Sequence, residues 1–134
     1  MTERLVVFAP NWLGDAVMAL PAFADIRRHF SSAHIAVAAR PSVAPMYTLV
    51  SGVDDVITLP GGGGLRAWTG WRKDVDALAR GSFDTAILFP NSYGTARIAL
   101  KAGIAERWGF AADWRGFAAH SYNFLSGLTG NKKA

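Results

Sequence analysis

Asp15 stands where a parallel α/β sheet carries out its chemistry. The segment Ala9-Pro10-Asn11-Trp12-Leu13-Gly14-Asp15 leaves a compact apolar run and leads into helical periodicity. Its carboxylate therefore falls at a helix start, on the side where such sheets bind ligands. Two roles fit. As an N-cap, the side chain accepts a backbone N–H two or three residues on. As a general base, it removes a proton from an acceptor hydroxyl. The roles pull against each other, because helix N-terminal amides stabilise the anion and make it a weaker base. Desolvation by Trp12 and Leu13 would offset this. The loop has one glycine where a G-x-G-x-x-G fingerprint needs three, and no Gly-Lys-Ser/Thr ending. Both absences argue against a nicotinamide dehydrogenase or a nucleotide hydrolase at this loop.

Other polar residues fall at the same kind of position. Asn11 lies in the same loop. Asn91 and Ser92 follow the fourth apolar run, either as ligand contacts beside Asp15 or as the cap of the next helix. Arg40 ends the second run, where it would meet a carboxylate or phosphate or lie at the surface. Arg66 and Arg97 are weaker candidates of the same type. Gly61 to Gly64 suggest a phosphate nest, but no Ser, Thr or Lys opens the following helix, so the tetraglycine reads as a flexible loop. Trp68 and Trp71 read as packing residues. His29, His34 and His120 lack metal-ligand spacing.

The elements that must position these residues alternate. Leu5-Val6-Val7-Phe8 is typical of a strand buried on both faces. Asp15 to Phe30 reads as a helix in which Pro21 marks a kink or a late start, with Val17, Leu20, Phe23, Ala24 and Arg27 on its inner face. Strands are expected over 35–39, 55–59, 85–89 and 107–110. Helices are expected over 42–50 (with Pro41 at its first position), 67–80 and 92–102, the last capped by Gly103. This is the βαβ pattern of an α/β fold, a parallel sheet with helices on both faces.

Composition narrows the class. The chain has 134 residues, 51% hydrophobic and 18% charged, which suits one folded domain. It has no cysteine, so disulfides and thiolate metal sites are excluded. No apolar stretch reaches the roughly 18 residues of a membrane span, and the N-terminus lacks signal-peptide features. The expected location is the cytoplasm. A net charge of +4 suits an anionic partner, and the basic residues do not cluster as in a nucleic-acid site.

Three blocks then fall into one order. Ala9 to Pro21 resembles the opening motif of glycosyltransferase family 9, the bacterial lipopolysaccharide heptosyltransferases, and its Trp-x-Gly-Asp form is similar to heptosyltransferase II more than to heptosyltransferase I. Phe83 to Tyr93 resembles the family's strand ending in Pro-Asn-Ser-aromatic, and Ala102 to Phe110 its Ala-Gly-Ile-Pro-x-Arg-x-Gly-aromatic segment, with Ala105 at the proline position. The resemblance implies a Rossmann-like N-terminal domain of a GT-B enzyme that binds the acceptor, a lipopolysaccharide core of Kdo- and heptose-bearing lipid A. A second domain would bind ADP-heptose. Heptose would be transferred with inversion and without a metal or other cofactor, and Asp15 would be the base. Asn11, Arg40, Asn91 and Ser92 would contact the acceptor. Peripheral contact with the inner face of the inner membrane is also implied.

The sequence departs from the family in two places. Gly94 stands where members often carry a basic residue. After Arg115-Gly116 the pattern fades, so residues 1–117 are expected to form the acceptor domain and 118–134 a divergent tail. On this reading the donor domain is missing, the chain is a truncated form, and alone it is inactive. The competing expectations are a non-catalytic acceptor-binding module and an unrelated Rossmann-like nucleotide-binding domain.

Overall fold

The structure, a computed structural model, describes residues 2–61, 67–89 and 93–109. Five strands form one parallel sheet: β1 (Arg4–Phe8), β2 (His34–Ala39), β3 (Asp55–Thr58), β4 (Thr85–Leu88) and β5 (Glu106–Gly109). Their order across the sheet is β3-β2-β1-β4-β5. The central strand β1 pairs Leu5 with Ile35 and Thr85, and Val7 with Val37 and Ile87. Leu5 to Phe8 are buried because both sheet faces are covered.

Side-chain alternation along β1 sorts the core into two layers. Leu5 and Val7 pack with Phe23, Ile26 and Tyr47 on one face. The helices there are α1 (Leu13–Met18), α2 (Leu20–His29) and α3 (Ala44–Tyr47). Val6 and Phe8 pack with Leu78 and Ile98 on the other, under α4 (Ala67–Arg80) and α5 (Tyr93–Lys101). The chain thus winds outward from β1 to β3 and then recrosses through α4 to β4. The strand order reverses between β1 and β4, and in open α/β sheets ligands bind at the carboxyl ends of the strands flanking such a switch point.

Three local expectations are corrected. The segment from Asp15 is not one kinked helix but two joined at Ala19, and of the two readings of Pro21 the helix start holds. Pro21 has no N–H for the Val17 carbonyl, so the first helix ends and the proline sits in the first turn of the second. The inner face is also shifted. Ala16, Phe23 and Ile26 are buried, whereas Val17 and Ala24 are exposed. The third helix covers only Ala44–Tyr47, with Pro45, not Pro41, in its first turn. The expectation for α4 matches its observed bounds, and Gly103 adopts φ +80° just past α5, as a C-cap glycine does. The expected boundary at 117 and the tail 118–134 lie outside the described residues.

Among the described residues, no helix is long and apolar enough to cross a membrane.

Candidate functional site at the carboxyl edge of the sheet

The loop after β1 starts as an extension of the sheet, since Ala9 N–H donates to the Ala38 carbonyl at 2.9 Å. It then turns through Pro10 and Asn11 into α1. Trp12, not Asp15, is the N-cap, with Ala16 N–H donating to the Trp12 carbonyl at 2.8 Å. Asp15 is the third helical residue, and no side-chain cap hydrogen bond is made. The capping role is therefore corrected: the chain enters the helix three residues earlier than Asp15 would dictate. The carboxylate is exposed on the first turn of the helix.

The expected desolvation by its neighbours does not occur within these residues. Trp12 is 76% exposed and Leu13 60%. With Val17 and Met18 they make α1 an apolar surface around Asp15, held to the core by Ala16 alone. A ligand or another surface that covered α1 would desolvate Asp15 together with it.

Asn11 and Arg40 do come together. They line one pocket at the carboxyl ends of β1 and β2, with Ala9 and Leu59 as its walls and Thr95 and Ile98 of α5 closing it. The cavity they enclose is small, about 10 Å³, room for a single water-sized group. That is far below the ~300–1,000 Å³ of self-contained small-molecule sites, so it admits only the tip of a ligand. Asp15 is not among the lining residues.

Arg40 is not a loose surface side chain. Its Nη1 donates to Asp74 Oδ2 at 2.7 Å and to the Leu59 carbonyl at 3.1 Å. Asp74 is 1% exposed, and its Oδ1 accepts the Gly61 N–H at 3.1 Å. This partner was missed from sequence, although a signal existed. Asp74 falls in the apolar stripe of α4 with Trp71, Val75 and Leu78, at a spacing where a lone carboxylate needs a buried cation.

The remaining candidates divide. Arg97 lies over the Trp71 ring, 5.7 Å from its centroid, which ties α5 to α4. Asn91, Ser92, Arg66, His120 and three of the four tetraglycine residues lie outside the described residues. So does the side chain of Trp68. His29 packs edge-on against Phe30, at the end of α2. Among the described residues no three His, Asp or Glu side chains are grouped to hold a metal ion.

Comparison with known proteins adds a second line of evidence. No protein-family profile matches the chain. Over 130 residues it is 30% identical to lipooligosaccharide heptosyltransferase 2 of Haemophilus ducreyi, a match covering 96% of this chain and 35% of that protein. It is 29% identical over 113 residues to lipopolysaccharide heptosyltransferase 2 of Escherichia coli, covering 84% of this chain and 31% of the relative. The solved structure of the E. coli ADP-heptose lipopolysaccharide heptosyltransferase II superposes with a TM-score of 0.74 at 25% identity, over 87% of this chain and 33% of that one. This chain resembles heptosyltransferase II.

A family 9 glycosyltransferase from Veillonella parvula shares the fold, with a TM-score of 0.69 at 19% identity over 80% of this chain and 32% of that one. The expected fold, a Rossmann-like parallel sheet as found in heptosyltransferases, is therefore present. The chain spans about a third of the length of the curated relatives it matches.

Proposed function

We propose that this chain is the acceptor-side domain of an inverting heptosyltransferase that extends the lipopolysaccharide inner core from ADP-heptose. The observation that carries the reading is the match to heptosyltransferase 2 along 96% of the chain. The exposed carboxylate on the first turn after β1 supports it.

In this reading Asp15 removes the proton from an acceptor hydroxyl. The freed oxygen attacks the anomeric carbon of the heptose from the face opposite ADP. The bond to the diphosphate breaks, its electron pair leaves with ADP, and the configuration inverts. One base on the acceptor side is sufficient, because the rest of the acceleration comes from aligning the two substrates and stabilising the leaving group. Asn11 and Arg40 hold the acceptor at their shared pocket, and Asn91 and Ser92, which follow β4 in the sequence, are further acceptor contacts. Arg40 suits a carboxylate or phosphate on the acceptor. In this reading a second domain, of the kind the relatives carry in the part this chain does not match, holds the donor. The enzyme works on the cytoplasmic side, where its nucleotide-sugar substrate is found, in peripheral contact with the membrane that carries its lipid-linked acceptor.

The test joins this chain to the remaining two thirds of E. coli heptosyltransferase 2 and measures heptose transfer. Asp15→Asn keeps the shape of the side chain and removes the base. Transfer is expected to fall about 10²–10⁴-fold, the usual contribution of a positioned base. Transfer within a few-fold of the unaltered hybrid would rule Asp15 out as the base.

A further inference from the structure

Asp74 has no part in the reading above, yet it is the most completely engaged carboxylate near the pocket. Burial of a charged group is costly unless it is paired and hydrogen-bonded. Both oxygens of Asp74 are used, one by Arg40 Nη1 and the other by the Gly61 N–H. Arg40 Nη1 is used as well. Its two protons go to Asp74 and to the Leu59 carbonyl. A guanidinium is planar and rigid, so two bonds from one nitrogen fix the whole group. Its other donors, Nε and Nη2, have no partner among the described residues, and Arg40 lines the pocket that Asn11 and Thr95 also line.

We propose that Asp74 is a positioning residue for this pocket: it holds Arg40 by Nη1, so that the Nε and Nη2 donors form a fixed two-point recogniser for a carboxylate or phosphate group. The proposal rests on the reading of Arg40 as an acceptor contact. It adds a specific physical claim, since Asp74 also cancels the Arg40 charge. Recognition must then come from directed hydrogen bonds, not from a bare positive field. Two oxygens on one carbon or phosphorus match an arginine edge in that way.

This claim makes the sign of one experiment decisive. Asp74→Asn removes the negative charge and weakens the hold on Arg40. If charge alone attracted the anion, this variant would bind more tightly; if orientation matters, it binds more weakly. Gly61→Ala tests the same point without altering any charge. A Cβ at Gly61 would lie 2.4 Å from Arg40 Nη1, and the flexible arginine head must move to admit it.

The chain itself, labelled with ¹⁵N, is titrated with inorganic phosphate in one arm and with gluconate, a sugar carboxylate, in the other. The Nε–H resonance of Arg40, assigned by its loss in Arg40→Lys, reports binding. The expected result is a shift in the unaltered chain with at least one anion. Affinity falls about tenfold in both Asp74→Asn and Gly61→Ala, as for loss of one charge-assisted hydrogen bond. The arm that shifts identifies the anion. Unchanged or tighter binding in folded Asp74→Asn would overturn the positioning role and leave Arg40 as a contact. If Asp74→Asn does not fold, the result with Gly61→Ala decides in the same way. No shift of the Arg40 resonance with either anion would also overturn the proposal. It would not touch the assignment of Asp15, which rests on transfer.

Discussion

The Tyr47 hydroxyl donates to the Ala16 carbonyl across 3.5 Å, and through that contact α3 supports the helix that carries Asp15. Ala16 is the only buried residue of α1, and Tyr47 is fully buried beside Phe23, ring centroids 5.1 Å apart. The bond is long and therefore weak. Burial dominates, and it pushes the Tyr47 hydroxyl up from its ordinary 10 to about 12. The unfolded chain thus gives up this proton more readily than the folded one. Stability is intact below pH 10 and declines as pH rises from 10 to about 12, by about 2–3 kcal/mol for a shift of this size. Tyr47→Phe is expected to remove that decline and to change stability little at pH 7. Urea unfolding of both proteins from pH 8 to 12 checks this, and parallel curves throughout would refute the burial argument.

A second prediction concerns the opposite end of the sheet. Arg27, at the last turn of α2, donates to the carbonyls of Gly52, Phe30, Ser31 and Ala33 and to the Asp54 carboxylate. It ties the α2–β2 turn to the turn before β3. The sequence placed Arg27 on the inner face of its helix, and its role there is to satisfy backbone carbonyls that would otherwise lose their partners. Arg27→Met keeps the apolar stem and removes every one of these bonds. A loss of about 2–3 kcal/mol is expected. Asp54 adds an acid dependence. Its hydrogen bond from the Ile35 N–H, at 2.9 Å, and the Arg27 charge hold its carboxyl below the ordinary range despite partial burial. Its contribution is present above the ordinary carboxylate pKa and is lost as pH falls through the lowered folded value. Asp54→Asn should therefore unfold with a shallower pH dependence below about pH 4. An acid-unfolding curve superimposable on that of the unaltered chain would contradict this.

Particular residues show what the sequence could and could not reveal. The strands were legible because Leu5 to Phe8, Ile35 to Ala39 and Ala86 to Leu88 are short apolar runs, as strands covered on both faces require. Helix α4 was legible because its apolar stripe, Trp68, Trp71, Val75 and Leu78 in the sequence, repeats over about three turns. The division of α1 from α2 was not. An apolar surface residue such as Val17 looks like a core residue to any periodic count, and the proline could as easily kink a helix as start one. At the site, position along the chain was enough to bring Asn11 and Arg40 to one edge. The partner of Arg40 was not legible, because the 34-residue separation of Arg40 and Asp74 is bridged only by the fold.

The last prediction turns on Gly14, beside Asp15. A Cβ built there meets nothing within 4 Å, and the residue is helical with no left-handed φ. By contrast, Gly61 takes φ +59° and would clash with Arg40. The fold therefore has no visible need of glycine at position 14, and glycine in a helix costs up to about 1 kcal/mol relative to alanine. Gly14→Ala should stabilise the chain by about 0.5–1 kcal/mol, read as a higher midpoint in thermal unfolding. A residue that makes the fold less stable at an exposed helix start is explained if a ligand approaches the backbone there, where any side chain would intrude. In the hybrid enzyme the same substitution is then expected to raise KM for the acceptor several-fold and leave Asp15 in place. Higher stability with unchanged KM would show that the space above Gly14 stays empty during transfer, and the acceptor would have to reach Asp15 from the side of the α1 surface formed by Val17 and Met18.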